Sequence, residues 1–371
     1  MLIGAILWIV GKRIIWWEWL AGAASAFLLS GIFHLISAHG MTVDEECWSG
    51  QIVSARNFTA WQEYYQEAIY KTETYYTGSG KDRQRHTRRV FSHWSPRTRW
   101  HQEHWVAYSN INSKYSIDKS HFNKLVKNFG EVHSVRGDRT TGEHNSRMIG
   151  GDPNDYITEN RTGFIEPITE TKSFENRIKA SPSVFSFVKV PKTINVFDWP
   201  RSDNPWESNR VMGSAKTMIN PRKWDEMNAT LGFKHHVNLI VVGLEGDDAS
   251  LLQYQEAKWI GGKKNDVVIA YTGNPKKPSN VKVFGWTEKD ILKQNIQSYV
   301  INNGVNNKLI DFLNQEIPEN YVIKDWKKFD YISIEPAQRY IYMFLFFMIF
   351  TQGLLYWYFH ENNIDKTKTG W

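Results

Sequence analysis

An α/β chain, with an α+β amino-terminal half and a membrane-spanning helix near each end, is the architecture this sequence predicts. Three observations predict it. Two apolar runs lie near the termini, each matching the ~20 residues that cross a hydrocarbon core as a helix. The chain is 15% aromatic, with 17 Trp, 17 Tyr and 20 Phe, enough apolar material for a large packed domain between the runs. From residue 220 onward, amphipathic helical segments alternate with continuous apolar strands.

The elements follow in chain order. A short apolar lead, residues 2–10, precedes Lys12 and Arg13. Residues 14–37 form the first span, with Glu18 as its one formal charge and Trp16, Trp17 and Trp19 at one end, where an interfacial aromatic belt belongs. Gly22, Ala23, Ala24 and Ala26 let a second helix approach closely, so the spans are expected to offer a self-association surface. Residues 339–359 form the second span, uncharged from 340 onward and bordered by Arg339 and His360. A buried soluble helix and a cleaved signal peptide are the competing readings of the first run. The expected organisation is therefore a lead and span over 1–37, a basic aromatic-rich region over 38–205, an α/β domain over 206–335, the second span, and a polar tail over 360–371. Two spans place both termini on one side. Lys12 and Arg13 precede the first span and Asp44, Glu45 and Glu46 follow it, so the positive-inside rule puts the termini in the cytoplasm and residues 38–339 outside it.

Composition excludes several classes. A mean hydropathy of −0.50 excludes a polytopic membrane protein. The single cysteine, Cys47, excludes a disulfide framework and a cysteine-based zinc ribbon. The net charge of +6 is mildly basic, but five of those charges are concentrated in residues 81–105. That block carries Arg83, Arg85, Arg88, Arg89, Arg97 and Arg99, interleaved with Trp94, Trp100 and Trp105. Arginines with aromatic platforms suit anionic head groups, a protein partner, or nucleic acid, the last being the least expected outside the cytoplasm. A twisted hairpin with a solvated basic face is the plainer reading. His86, His93, His101 and His104 lie in the same block and read as surface or half-buried histidines rather than metal ligands, since no cysteine supports them.

Elsewhere in 38–205, residues 51–56 read as a short strand; Trp61, Tyr64, Tyr65 and Ala68 recur at helical spacing while residues 70–77 alternate like a strand, which leaves this stretch ambiguous. Residues 116–129 read as a helix capped by Asp118 or Ser116 and ended by Gly130. Residues 134–163 read as a loop or polar hairpin, and 181–190 as an alternating strand. Pro191, Pro200 and Pro205 mark an irregular connection and the preferred internal boundary.

Beyond it, Asn220-Pro221 opens a helix with the stripe Trp224, Met227 and Leu231. Residues 237–244 form a strand buried on both faces. A helix over 249–259, a buried strand over 267–271, a third strand over 281–286, and two helices ending near 302 and 316 complete the series.

The segment over 220–325 resembles the TPM family. The resemblance rests on Trp259, Gly261, Gly262, Lys263, Lys264, Asn265 and Asp266: a helix ending in Trp, a Gly-Lys turn, and Asn-Asp entering a strand. It implies a membrane-tethered βαββα module facing away from the cytoplasm. The two-anchor layout also resembles membrane proteins of bacteria and large tailed phages, a layout that carries no known activity. Some TPM domains are reported to act as weak phosphatases through acidic residues near a metal. Asp247, Asp248 and Asp266 are the matching carboxylates, which could hold a divalent cation such as Ca²⁺ or Mg²⁺. Helix capping by Asp248 is the plainer reading, so no cofactor is expected. The sequence thus predicts a membrane-anchored interaction or scaffold protein whose partners are the lipid bilayer and another protein. A metal-dependent phosphoester hydrolase is the alternative, distinguished by convergence of those three carboxylates.

Overall fold

A computed structural model describes residues 16–181, 184–185 and 187–362. The apolar lead with Lys12 and Arg13, and the end of the tail, lie outside the described residues.

Helix α1 (Trp16–Thr42) passes without a linker into strand β1 (Val43–Phe58). The carboxyl-terminal helix α7 (Gln338–Asn362) lies antiparallel beside α1. Their contacts are aromatic, small-to-large and polar. Phe33 meets Phe344 at 4.8 Å, and Gln352 Nε2 donates to Ser25 Oγ at 3.0 Å and Gly22 O at 3.3 Å. Gly22 lies under the Tyr356 ring, where an added Cβ would sit 2.4 Å from the hydroxyl. Two stretches, Leu20–Thr42 and Gln338–Phe359, are long and apolar enough to cross a membrane. Only 17% and 11% of their apolar windows are buried, which is unlike the core helix of a soluble protein. Phe27, Leu35, Phe346 and Ile349 point outward.

Three sheets lie between these helices. The first is built on β1, which is far longer than the short strand the sequence predicts. Its first half pairs antiparallel with β9 (Pro167–Glu175), from Val43↔Glu175 to Gln51↔Pro167. Its second half pairs with β4 (His104–Ser109) and β8 (Asn154–Glu159); β5 (Lys114–Ile117) and β6 (Val132–Arg136) extend the two edges. The acidic start of β1 obscured it in sequence. Asp44 and Glu46 are each only 5% exposed, because Lys179 and Lys263 pair with Asp44 and burial pushes the Glu46 carboxyl above its ordinary value. Helix α2 (Lys119–Phe129) covers this sheet with Phe122, Leu125 and Phe129. As its sequence predicts, Asp118 caps it, accepting from the His121 N–H at 2.6 Å, and Gly130 ends it at φ 105°.

The second sheet runs β10 (Val211–Gly213), β11 (Asn238–Leu244), β12 (Asp266–Asn274), β13 (Lys277–Gly285). The first three are parallel and β13 returns antiparallel. Every residue of β11 is buried, because helices cover both faces. Helices α3 (Pro221–His235), α5 (Asp290–Asn303) and α6 (Lys308–Asn320) fill one face through Trp224, Leu231, Ile296 and Leu313. Helix α4 (Ser250–Lys258) takes the other, joined by Ile194, Val196, Phe197 and Trp199 from the preceding connection. That connection crosses the 205/206 position to complete a face of the later sheet. The β10–α3–β11 and β11–α4–β12 connections advance the same way across the sheet yet pass over opposite faces, so they are of opposite hand. One of them is left-handed, a rare choice for parallel strands.

The alternating run at 181–190 is not a strand among its described residues. It has no partner edge to bond to, and Phe185 instead packs on Trp286 and Phe329.

Helix α3 is the slab that joins both sheets. Its Gly232 lies against β1, where a Cβ would meet Ser49 Cβ at 2.8 Å.

Candidate functional site

The third sheet is the candidate site. Strand β2 (Trp61–Thr77) and strand β3 (Gln84–His101) pair over their whole length as one antiparallel ribbon, with β7 (Arg147–Gly151) added only at its base. The strand reading of 61–77 therefore holds over the helical one. Cross-strand pairs such as Tyr65↔Arg97 and Glu73↔Arg88 satisfy both strands.

A buried polar knot fixes the base of the ribbon. Glu63 accepts from His101 Nε2 at 2.7 Å, Thr141 Oγ1 at 2.5 Å and Ser146 Oγ. Burial alone would raise this carboxyl, but these donors outweigh it and hold it below its ordinary value. Arg139 and Arg56 share Asp155 beside Thr59, and Trp61 stacks on His101 at 4.2 Å. Further out, Gln66 bonds to Asn145 and His144 O, and Trp94 stacks on His144 at 4.1 Å. Among the described residues, residues 67–93 hydrogen-bond only within the ribbon. The outer ribbon is therefore a free-standing arm. Its 11 residues of β2 from Glu67 to Thr77 span roughly 35 Å at ~3.3 Å each.

The arm has two unlike faces. Directly paired residues share a face, and a bulge lets one extra residue, Ser92, into β3 opposite Ile69/Tyr70. One face carries Glu63, Glu67, Glu73, Lys71, Arg88, Arg97 and Arg99. Its charges are paired: Arg88 with Glu73 at 3.2 Å, Arg97 with Glu67 at 2.8 Å, and Arg99 with Glu143 at 2.8 Å. The other face carries Tyr70, Tyr76, Phe91, Trp94 and Trp100, each more than 40% exposed, together with Arg85 and Arg89, and with Arg83 at the tip. No carboxylate of β2 or β3 lies on that face. Among the described residues no carboxylate pairs with Arg83, Arg85 or Arg89. Arg83 stacks over Tyr76 at 4.0 Å and Arg89 over Tyr70 at 5.2 Å instead.

The nine residues expected to form one partner or lipid surface thus divide. Arg83, Arg85, Arg89, Trp94 and Trp100 share a face; Arg88, Arg97 and Arg99 are on the opposite one. Trp105 belongs to β4 and packs half-buried in the first sheet's core, not on the arm. The four histidines are dispersed: His86 against Thr77, His93 against Ser92, His101 on Glu63, and His104 stacked on Phe58.

The three carboxylates of the hydrolase reading do not converge. Asp247 and Asp248 follow the carboxyl end of β11, whereas Asp266 begins β12, opposite Asn238 at the other end of the same parallel pair. Six residue steps, roughly 20 Å, separate them. Asp248 caps α4 through Ser250 N at 2.8 Å, and Asp247 accepts from Ser279 Oγ at 2.7 Å. Asp266 is 1% exposed and accepts from Asn238 Nδ2, Trp199 Nε1 and Lys263 N at 2.7–2.9 Å; burial pushes its carboxyl up. Among the described residues no three His, Cys, Asp or Glu side chains are grouped to hold a metal.

The motif residues of the TPM resemblance form a seam instead. Trp259 Nε1 donates to Phe197 O at 2.9 Å. Ile260, Gly261 and Gly262 turn the chain at φ 56°, 77° and 94°; glycine permits the last two, while Ile260 holds a left-handed conformation rare for a β-branched residue. Lys263 then reaches Asp44 at 2.5 Å, Lys264 lies 5.9 Å from the Phe174 ring, and Asn265 Nδ2 donates to Cys47 O at 2.7 Å. Buried Arg210 adds bonds to Ser49 and Thr169. Burial there pushes the Cys47 thiol up to about 11 and keeps it protonated. A crevice of about 230 Å³ opens at the carboxyl end of β11, lined by Asn195, Phe197, Leu244 and Glu245; larger ones of about 470 Å³ and 570 Å³ lie at the base of the arm, beside Tyr64, Asn145 and Arg147, and beside Gln253, Lys282 and Gln297.

In comparison with known proteins, the chain matches no family model, no curated protein and no solved structure.

The arm's independence is testable. Replacing residues 69–93 by an Asn-Gly turn is expected to leave the thermal midpoint of the full chain in detergent within about 2 °C, because no core residue is removed. A larger drop means that the arm supports the body.

Proposed function

We propose that this chain is a membrane-anchored interaction protein whose two helices cross a bilayer and hold residues 43–337 at its surface, the arm being the part that meets a partner. The observation that carries this reading is the junction at Thr42–Val43. An outward-apolar helix continues directly into the central strand of the first sheet, and the second such helix packs beside it. The body is thereby fixed to the bilayer, not tethered by a flexible linker. The positive-inside argument places the body outside the cytoplasm, and a TPM-like reading of 220–325 agrees with a membrane-tethered α/β module. Tryptophan and arginine on the arm are the residue types that dominate binding hot spots.

Protease protection of membranes carrying a tag at each terminus tests the arrangement. Both tags are expected to be cleaved from one face and the body only from the other. Tags on opposite faces, or release of the whole chain by alkaline carbonate, overturn it. Gly22→Leu drives a side chain into Tyr356 and is expected to separate the two helices, abolishing a disulfide otherwise formed between cysteines placed at Ser25 and Gln352.

A further inference from the structure

Three guanidinium groups without acidic partners among the described residues, those of Arg83, Arg85 and Arg89, accompany Tyr70, Tyr76, Phe91, Trp94 and Trp100 on one face of the ribbon. We infer that this face docks on an anionic lipid surface other than the bilayer the helices cross, so that the chain bridges two membranes. The inference rests on the membrane-anchored reading above.

Position comes first. The arm springs from the end of β1 farthest along the chain from α1. Strand β1 has 16 residues and β2 has 17, giving on the order of 100 Å of strand contour between Thr42 and the tip. Residues 67–93 bond only within the ribbon, so no hydrogen bond among the described residues holds the arm against the body or the helices.

The chemistry of the rings comes second. Nucleic acid held by stacking needs free aromatic faces. Here three of the rings each have one face covered, while Trp100 has no stacking partner among the described residues. Arg83 covers Tyr76, Arg89 covers Tyr70, and His144 covers Trp94 at an interplanar angle of 12°. Tyr70 and Phe91 meet edge-on at 82°. The outward set is guanidinium groups, tyrosines and the exposed Trp100. That set matches the head-group region of a bilayer, where aromatic rings sit at the interface and arginine edges bond phosphate. The paired charges of the opposite face complete a one-sided ribbon, with one face for the lipid plane and one for water.

The test uses the full chain reconstituted into phosphatidylcholine vesicles, mixed with a second population of equal parts phosphatidylglycerol and phosphatidylcholine. Energy transfer between the two labelled populations reports clustering. The expected result is clustering that high salt reverses. Arg83→Gln/Arg85→Gln/Arg89→Gln is expected to weaken it on the order of a hundredfold, and Arg88→Gln/Arg97→Gln to leave it nearly unchanged. Clustering that ignores the three arginines overturns the inference, as does an inserted chain that captures no anionic vesicle. Capture of a thymidine oligonucleotide by the same arginines without vesicle capture also overturns it and assigns the face to nucleic acid. Extraction of the chain from its host vesicles by carbonate is a separate outcome. It removes the anchoring reading itself, and the inference with it.

Discussion

Trp224→Ala is expected to destabilise the full chain by about 3–5 kcal/mol, the range for deleting a large buried aromatic side chain. Trp224 is the largest fully buried side chain, on the face of α3 that meets Val211, Leu239 and Val241. Its Nε1 donates to Leu239 O at 2.9 Å, beside the Asn228 side chain, which bonds both the N–H and the carbonyl of Leu239. Alanine removes the ring, leaves a cavity between helix and sheet, and takes one donor from a carbonyl buried in the central strand. Because α3 also packs on β1, the damage reaches both sheets. Urea unfolding of the variant in detergent, followed by tryptophan fluorescence, measures it; a loss below about 1 kcal/mol means that the helix does not hold the sheets together.

Acid is expected to loosen the opposite side of the same helix. Glu166 is buried and bonds Lys124 at 3.1 Å and Arg222 at 3.0 Å, with His121 at 3.6 Å, linking α2 to α3. Burial alone would raise its carboxyl, but the nearby His121 and the bonds from Arg222 and Lys124 outweigh that and hold it down to about 2, from an ordinary 4.5. The folded value lies below the unfolded one. The stabilisation is therefore fully present above pH ~4.5 and is lost as pH falls toward ~2. The difference amounts to roughly 3 kcal/mol, of which about 2 kcal/mol is gone by pH 3. Asp155 and Glu63 are held low too and act in the same direction, whereas Asp266 and Glu46, raised by burial, act against it. Unfolding at pH 7 and pH 3 should show the parent losing about 2 kcal/mol more than Glu166→Gln. Equal losses assign the acid sensitivity elsewhere.

The later sheet was legible in sequence because its signals are local. Residues 237–244 are continuously apolar, and a strand covered on both faces needs that. Asn220-Pro221, Asp118 and Gly130 mark helix ends through bonds to residues two to four positions away. The arm was only half legible. Trp61, Tyr64, Tyr65 and Ala68 have helical spacing while residues 70–77 alternate, and only pairing with β3 makes the whole stretch one strand. Its two faces could not be read at all. Arg83, Arg85 and Arg89 are at odd positions and Trp94 and Trp100 at even ones, so simple alternation would set them apart. The extra residue at Ser92 brings them to one side. The seam was hidden by distance: Lys263 and Asp44 are 219 residues apart, so a turn that resembles a family motif serves here to join two sheets. The acidic loop after β11 and Asp266 are close in sequence terms but lie at opposite ends of one strand pair, a separation that only the parallel register reveals.

The direct passage from α1 into β1 also sets a compass bearing. An α-helix turns about 100° and rises about 1.5 Å per residue, so in the membrane-anchored reading proposed above the azimuth of the first sheet around the membrane normal is fixed by the phase of the helix at Thr42. The arm inherits that azimuth. Rotation of α1 about its own axis sweeps the tip through an arc on the scale of the whole body, and the Tyr356–Gly22 and Gln352–Ser25 contacts with α7 are the brake on it. Small residues in a helix pair thus govern where, in the plane of the bilayer, a distant ribbon points.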